Sequence, residues 1–395
     1  MSDFFQNGII TTLHRLGRPT LERLERELLE YSRQRSTALV LPALYSEFEG
    51  PAMPGIISEL AKVKYLNEVV LVLDKGSEKD FARVRRFMEP LACEVKIIHN
   101  DGRRIKEIFD TLARNDLAVG RRGKGRSAWL AYGYIIARNR SDVIVLHDCD
   151  IVTYSREMLA RLCYPVVNPN MDFVFCKGYY SRVTDRMHGR VTRLLVTPLL
   201  RSLETLLGSH PFIDFLDSFR YPLSGEFCMI TDMARVNRIP WDWGLEVGSL
   251  AEVYRNYSAR RICQVDVSDN YEHKHQVLSA HNPERGLLKM TVDICKAVIR
   301  TLASEGIVFS TTFFKSLSAT YLRNAEDIMI KYEADATING MVFDRHEEAK
   351  AVEAFSRGIC MAAEAFLENP MGTPLIPNWN RVLAAIPGIS DMLVA

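Results

Sequence analysis

The sequence predicts an α/β fold with a Rossmann-like, mostly parallel central sheet flanked by helices, and a helical C-terminal extension. Short apolar runs of strand length alternate with helical patterns over the first 150 residues, and this alternation is typical of parallel sheets. Beyond about residue 280, three long segments place apolar residues about 3.6 positions apart, and no further strand stands out. These segments are 284–304, 311–334 and 345–367.

Five apolar runs are the predicted strands, and helical patterns precede or separate the first four. The strands are 37–42, 68–73, 94–98, 143–146 and 173–175, and the helices are 19–35, 52–63, 78–90 and 125–138. Polar segments follow the first four strands, at 42–47, 74–77, 100–103 and 147–150. Because open α/β sheets bind ligands at the carboxyl ends of their strands, we expect a ligand crevice where these segments converge.

The composition restricts the class of partner. Lys and Arg (50) nearly balance Asp and Glu (49), so no overall field favours nucleic acid or an anionic membrane. No apolar segment approaches the ~20 residues of a membrane-spanning helix, and the N-terminus lacks the pattern of a signal peptide. The eight cysteines form no CxxC pair, which predicts reduced thiols in a cytoplasmic protein. From the charge balance and the lack of a spanning segment we expect no nucleic-acid partner and no membrane partner.

Two aspartates, Asp148 and Asp150, follow the apolar strand at 143–146 in the segment VIVLHDCDI. Their spacing allows both carboxylates to reach one cation, and Mg²⁺ or Mn²⁺ prefers oxygen ligands that are shared with substrate phosphates. A departing nucleoside diphosphate requires such a cation to neutralise its growing charge. The alternative is an ordinary strand-to-loop turn, since Asp is common in turns.

The segment GRRGKGRSAW, residues 120–129, places glycines and cations just before a predicted helix. Glycine allows the backbone to approach a phosphate, and a helix N-terminus favours an anion, so Lys124 is a candidate contact for a diphosphate. The order GxxxxGK[ST] of a Walker A loop is absent. A flexible basic turn is the alternative interpretation.

A second basic cluster runs from Lys177 to Arg193. Charge-assisted, bidentate contacts to a phosphorylated acceptor could come from this cluster, with Thr192 adding a hydroxyl; its basic residues are Lys177, Arg182, Arg186, Arg190 and Arg193. A solvated helical face is the alternative. The later segment WDWGLEVG offers Trp243 and Glu246 for stacking on a sugar and for accepting hydrogen bonds from its hydroxyls, although core packing explains such residues equally well.

Seven features in this order resemble the glucosyl-3-phosphoglycerate synthases, which are retaining glycosyltransferases with a GT-A fold. The features are PAL at 42–44, GKG at 123–125, DCD at 148–150, GRVTRLLVTPLL at 189–200, PLSGE at 222–226, WGLEVG at 243–248 and the later His273. The resemblance spans about residues 37–280, and GRVTxLLxxPLL and PLSGE are its most specific parts. It implies a GT-A catalytic domain over residues 1–280, and the apolar periodicity beyond it predicts a helical region over 281–395.

The resemblance also implies roles for individual residues. Contacts to a nucleotide-sugar donor fall on Pro42, Ala43, Leu44, Glu47, Lys75, Lys124, Asp148, Trp243 and Glu246. Contacts to 3-phosphoglycerate fall on Gly189, Arg190, Val191, Thr192 and His275. The Mg²⁺ or Mn²⁺ ligands are Asp150 and His273, and the catalytic group comprises Asp150, Glu246 and Lys124. The stretch EHKHQ leaves His273 and His275 as alternative metal ligands.

The expected reaction transfers glucose from UDP- or GDP-glucose to the 2-hydroxyl of 3-phosphoglycerate with retention of configuration. Transfer of mannose from GDP-mannose to the same acceptor remains an alternative. A sugar nucleotidyltransferase is the alternative from another class, although the glycine-rich GxGxR loop that it needs after the first strand is missing. We expect a homodimer, with the C-terminal helices forming a subunit interface or closing over the active site.

Overall fold

The structure is a computed structural model that describes residues 4–17, 20–272, 286–372 and 375–395. Its described residues form one eight-stranded sheet of order β1-β8-β6-β7-β5-β2-β3-β4. The strands are β1 (Thr11–Leu13), β2 (Thr37–Leu44), β3 (Glu68–Asp74), β4 (Glu94–His99), β5 (Val143–Leu146), β6 (Phe175–Tyr180), β7 (Phe227–Ile230) and β8 (Ile262–Ser268). All neighbouring strands are parallel except β7, which runs antiparallel to both β5 and β6. The predicted mostly parallel sheet is confirmed.

Helices cover both faces of the sheet and form the C-terminal region. Those up to the last strand are α1 (Leu21–Tyr31), α2 (Ala52–Leu60), α3 (Glu78–Phe87), α4 (Arg103–Arg114), α5 (Lys124–Arg138), α6 (Arg156–Val167), α7 (Thr197–Leu207), α8 (Pro211–Asp217), α9 (Thr231–Val236) and α10 (Leu245–Asn256). The later ones are α11 (Gly286–Ser304), α12 (Thr311–Ile338), α13 (Arg345–Glu368), α14 (Trp379–Ala385) and α15 (Ile389–Val394). Two 3₁₀ turns, Tyr45–Glu49 and Ala259–Arg261, and a π-helix, Val191–Val196, complete the described secondary structure.

The strand predicted at 173–175 is wrong in its bounds, because β6 begins at Phe175 and continues through Lys177 to Tyr180. The sequence predicts that the strand ends before the basic cluster begins at this lysine. Instead it is buried within β6, and its Nζ donates to the carbonyl of Ser224 at 2.7 Å. A basic side chain that is satisfied inside the sheet therefore breaks the apolar pattern without ending the strand.

Each face of the sheet carries its own apolar core. One core joins the strands to α1, α2, α3 and α6, and the other joins them to α5 and to the C-terminal helices. Side chains that alternate along β2 divide between the two, with Val40 in one and Leu41 in the other. The division into domains at residues 280 and 281 lies outside the described residues and stays a prediction. None of the helices in the described part of the chain is long and apolar enough to cross a membrane.

Two buried tryptophans join the end of the chain to the sheet-facing helix α5. Trp379 of α14 stacks on Trp129 of α5, with ring centroids 4.1 Å apart and an interplanar angle of 20°. The indole of Trp129 donates to the carbonyl of Pro377 at 2.8 Å, and that of Trp379 donates to the carbonyl of Trp129 at 2.9 Å. Both indole N–H groups are thus satisfied in an apolar setting, as burial requires.

Replacing Trp379 by alanine is expected to lower the free energy of unfolding by about 3–5 kcal/mol, because it opens a large cavity and removes the hydrogen bond that the Trp379 indole donates to the carbonyl of Trp129. Chemical denaturation followed by circular dichroism measures the change. Met371 is 86% exposed, and Met371→Ala is the matched control, with an expected change within about 0.5 kcal/mol. Equal stability of the two variants would contradict the role of the tryptophan pair.

Candidate active site

A cleft of about 680 Å³ opens at the carboxyl ends of the central strands. Its walls come from the ends of β2, β3 and β5, from the start of α5, from the segment 186–191, and from the loop before α10. Residues of α11 and α13 also line it, so the C-terminal helices border the cleft. The position agrees with the crevice expected from the polar strand ends.

The cleft contains most of the predicted site residues. Its lining includes Pro42, Ala43, Leu44, Glu47, Lys75, Lys124, Asp148, Asp150, Gly189, Arg190, Val191, Trp243 and Glu246. Thr192 is not in the lining, because its side chain is buried, and its hydroxyl makes no hydrogen bond to the described residues. His273 and His275 lie outside the described residues.

The paired carboxylates lie directly beyond β5, as predicted. Burial raises the pKa of Asp150 to about 7, and the charges of Asp148 and Glu47 reinforce the effect. An arrangement that concentrates negative charge in a half-buried position favours a bound cation, and its ligands are oxygens of the kind that Mg²⁺ and Mn²⁺ prefer. The described residues contain no group of three side chains that could hold a metal ion, so a complete site needs a further ligand.

Lys124, the first residue of α5, faces these carboxylates. Its Nζ lies 2.5 Å from Oδ1 of Asp148 and 3.0 Å from Oε1 of Glu246. Burial disfavours the charged lysine, but the two carboxylates outweigh this and hold its pKa well above the usual value. A positively charged lysine therefore lines the cleft beside two carboxylates.

The glycines beside Lys124 allow close packing against the protein itself. A Cβ at Gly125 would lie 1.9 Å from the carbonyl oxygen of Pro240, and one at Gly123 would lie 2.2 Å from that of Trp241. Gly225 of PLSGE has a similar role, since a Cβ there would lie 2.3 Å from Oδ2 of Asp148. The sequence predicts glycine in GKG for the close approach of a phosphate, whereas the structure shows that these glycines allow packing against Pro240 and Trp241.

Glu226, also of PLSGE, is a buried residue of this site that the sequence did not single out. Its Oε1 accepts a hydrogen bond from the hydroxyl of Tyr271 at 2.8 Å, and its Oε2 accepts from Tyr180 at 2.9 Å and from Ser224 at 3.0 Å. The two tyrosine rings stack with centroids 3.7 Å apart. PLSGE is one of the most specific parts of the resemblance, but a carboxylate next to a glycine is common in turns and assigns no role to Glu226.

The predicted acceptor segment forms the start of an unusual helical turn. Arg190 precedes the π-helix Val191–Val196, a rare form that is frequent at functional sites. Arg190 lines the cleft, and its Nε donates to Glu348 of α13 at 2.7 Å. Lys177, from the same basic cluster, is buried in β6 and does not line the cleft.

Comparison with curated proteins gives two relatives that match the chain along its whole length. Glucosyl-3-phosphoglycerate synthase of Persephonella marina is 51% identical over 100% of this chain and 98% of the relative. The chain belongs to the glucosyl-3-phosphoglycerate synthase family. A second member, from Methanococcoides burtonii, is 39% identical over 99% of this chain and 96% of its own length. Membership in this family makes the protein a glycosyltransferase. A separate comparison with models of protein families found no match.

Solved structures of glucosyl-3-phosphoglycerate synthase from Mycobacterium tuberculosis confirm the GT-A fold. The complex with Mg²⁺ and uridine diphosphate has a TM-score of 0.53 at 22% identity and covers 76% of this chain and 89% of that chain. The complex with Mn²⁺, UDP-glucose and phosphoglyceric acid has a TM-score of 0.53 at 21% identity over 76% and 89% of the two chains.

Proposed function

We propose that this member of the glucosyl-3-phosphoglycerate synthase family transfers glucose from a nucleoside diphosphate glucose to the 2-hydroxyl of 3-phosphoglycerate, with retention of configuration. The observation that carries the proposal is the meeting, in one cleft, of the Lys124 and Asp148 pair with Arg190. Lys124 and Asp148 provide a positive charge for a diphosphate and a carboxylate near its cation, and Arg190 provides a guanidinium for an anionic acceptor. The names of the curated relatives support the same donor sugar and acceptor.

On the donor side, Pro42, Ala43 and Leu44 provide the wall at the end of β2 against which the nucleotide would lie. Lys124 provides a fixed positive charge for the departing diphosphate, and Glu246 accepts hydrogen bonds from hydroxyls of the transferred sugar. Because both side chains already pair with each other, they are oriented before the donor arrives. Such preorganisation is what stabilises charge that develops in a transition state.

The residues present fit a divalent cation, since two carboxylates converge and the charges of Asp148 and Glu47 help to raise the pKa of Asp150. Asp150 and, beyond the described residues, His273 would hold Mg²⁺ or Mn²⁺. When bound, the ion would supply Lewis-acid neutralisation of the leaving diphosphate. The structures of the Mycobacterium tuberculosis relative with Mg²⁺ or Mn²⁺ support this proposal.

On the acceptor side, Arg190 binds an anionic group of 3-phosphoglycerate and thereby directs its 2-hydroxyl at the anomeric carbon. The new bond from this oxygen forms on the face from which the diphosphate oxygen departs, so the configuration is retained. The departing phosphate oxygen accepts the hydroxyl proton, and no side chain of the protein is assigned as a nucleophile.

A coupled assay of nucleotide release tests the function and identifies the donor. The purified protein is incubated with Mg²⁺ and 3-phosphoglycerate together with UDP-glucose, GDP-glucose or GDP-mannose, with one control lacking acceptor and another containing EDTA. Turnover that needs a glucose donor and the acceptor, and that EDTA abolishes, is the expected result. Preference for GDP-mannose would establish the mannosyl alternative, and inactivity with every donor would overturn the acceptor assignment. Proton NMR of the product shows whether the anomeric configuration is retained.

Replacing Arg190 by alanine is expected to raise KM for 3-phosphoglycerate about 10- to 100-fold, because one charge-assisted hydrogen bond to the acceptor is lost. KM for the sugar donor should stay near the wild-type value. Arg201→Ala is the matched control, since Arg201 lies on α7 and pairs with Glu204 and Asp217 outside the cleft. An unchanged KM for 3-phosphoglycerate in the Arg190 variant would contradict the assignment.

We also propose that the protein is a homodimer and that residues 281–395 form its helical C-terminal region. A chain of 45.0 kDa would then sediment as a species of twice that mass. Sedimentation velocity at micromolar concentration tests the proposal, and a single species of monomer mass would refute it.

A further inference from the structure

The acceptor segment is held in place by the C-terminal helices at several points. The backbone N–H of Val342, between α12 and α13, donates to the carbonyl of Asp185 at 2.8 Å. The hydroxyl of Tyr321 on α12 donates to the carbonyl of Leu194 at 2.6 Å. The basic loop and the π-helix therefore take their shape from residues that follow them by more than a hundred positions in the chain.

The strongest of these contacts is a buried carboxylate shared by two arginines. Glu348 on α13 is 5% exposed, and its Oε1 accepts from Nε of Arg190 at 2.7 Å. Its Oε2 accepts from a terminal nitrogen of Arg193 at 3.0 Å. One carboxylate thus orients two guanidinium groups of the segment GRVTR, and the planar geometry of each group transmits that orientation to its other nitrogens.

The two arginines are not equivalent. Arg193 also donates to the carbonyls of His188 and Met187, and its guanidinium lies over the ring of Tyr332, 4.9 Å from the centroid. Arg190 keeps about a third of its side chain exposed and makes its only hydrogen bond to described side chains through Nε. Arg193 is therefore fixed by several contacts within the protein. Within the described part of the chain, Arg190 is fixed through its Nε alone, and the rest of its guanidinium is available in the lining of the cleft.

The charges decide between two roles for Glu348. If the carboxylate only neutralised Arg190, it would compete with an anionic acceptor. However, two arginines share one glutamate, so the trio retains a net charge of +1, and Arg193 is the buried partner of the carboxylate. The arrangement leaves one positive charge at Arg190 to bind an anion.

We propose that Glu348 is a positioning residue for the acceptor: from the C-terminal helix α13 it fixes the guanidinium of Arg190 in the orientation that binds the anionic group of 3-phosphoglycerate. This inference rests on the proposed function. It makes acceptor binding depend on the helical region, although the acceptor motif itself lies in the sheet-containing part of the chain.

Glu348→Gln tests the inference, because glutamine keeps the size of the side chain but removes the charge that both arginines share. KM for 3-phosphoglycerate is expected to rise about 10-fold, with kcat and KM for the sugar donor nearly unchanged. Glu348→Asp restores the charge and should recover part of the loss. The matched control is Glu364→Gln, since this glutamate lies on the same helix α13 but is exposed and is not part of the cleft lining. Thermal unfolding of all variants accompanies the kinetics.

Each outcome has a definite meaning. A lower KM for 3-phosphoglycerate in Glu348→Gln would show that the carboxylate competes with the acceptor. An unchanged KM would show that the carboxylate has no part in acceptor binding. Either result overturns the inference but leaves the proposed function standing, provided that the wild-type protein turns over. Absence of wild-type turnover with 3-phosphoglycerate overturns the proposed function and this inference together. If Glu348→Gln does not fold, Glu348→Asp is measured in its place. A wild-type KM for 3-phosphoglycerate in folded Glu348→Asp would contradict the need for Glu348 to position the Arg190 guanidinium.

Discussion

Replacing Asp150 by asparagine is expected to lower kcat about 10³-fold, which corresponds to about 4 kcal/mol of transition-state stabilisation. Asparagine has the same size but lacks the charge that binds a divalent cation beside the departing diphosphate. Initial rates at saturating donor and Mn²⁺ measure the loss of activity, and titration with Mn²⁺ followed by calorimetry measures the loss of binding. Without metal, the thermal stability should not fall, because the variant relieves repulsion from Asp148 and Glu47.

Asp242→Asn is the matched control for this variant. Asp242 lines the same cleft, and its Oδ1 accepts from the backbone N–H of Gly244 at 2.9 Å, a bond that asparagine retains. The control should bind Mn²⁺ like the wild type. Full activity or wild-type metal affinity in Asp150→Asn would exclude Asp150 as a metal ligand.

Replacing Lys124 by methionine is expected to lower kcat/KM for the sugar donor about 10²- to 10³-fold, because the preorganised charge for the diphosphate is lost. The variant also leaves Asp148 and Glu246 without the cation that they share, so a lower melting temperature should accompany the kinetic defect. KM for 3-phosphoglycerate should change little. Steady-state kinetics with each substrate varied in turn separates the two effects.

Lys289→Met distinguishes a specific effect of Lys124 from a general loss of positive charge. Lys289 also lines the cleft, but its ion pair is with Asp293 of its own helix α11, at 2.8 Å. We expect its donor kinetics to stay close to those of the wild type. Equal defects in both lysine variants would remove the special role of Lys124.

The donor side of the site could be predicted because its residues follow strands with clear apolar patterns. Val143–Leu146 is buried throughout and is predicted with its observed bounds, which places Asp148 and Asp150 at the correct edge of the sheet. Lys124 is the first residue of a helix whose start is indicated by the neighbouring glycines, although those glycines allow packing against Pro240 and Trp241. Local sequence is sufficient where one element carries the functional group.

The remaining parts depend on contacts between distant residues. Strand β1 has three residues and pairs with β8, to which no local signal connects it. Glu348 resembles any acidic residue in the first turn of a helix, and its burial depends on two arginines about 155 residues earlier. Lys177 resembles a surface cation because its acceptor, the carbonyl of Ser224, comes from a loop 47 residues later. The local pattern of apolar and polar residues does not show which distant residues come into contact.

The stacked tryptophans have a consequence for how the chain folds during synthesis. Trp129 emerges from the ribosome 250 residues before the partner that covers it, so this face of α5 stays exposed to water for most of translation. Contacts of such separation form late, and exposed apolar surface in the meantime invites aggregation. A nonsense mutation shortly before codon 379 would retain in the chain every described residue that lines the cleft, and we expect the truncated protein to be unstable because Trp129 loses its cover.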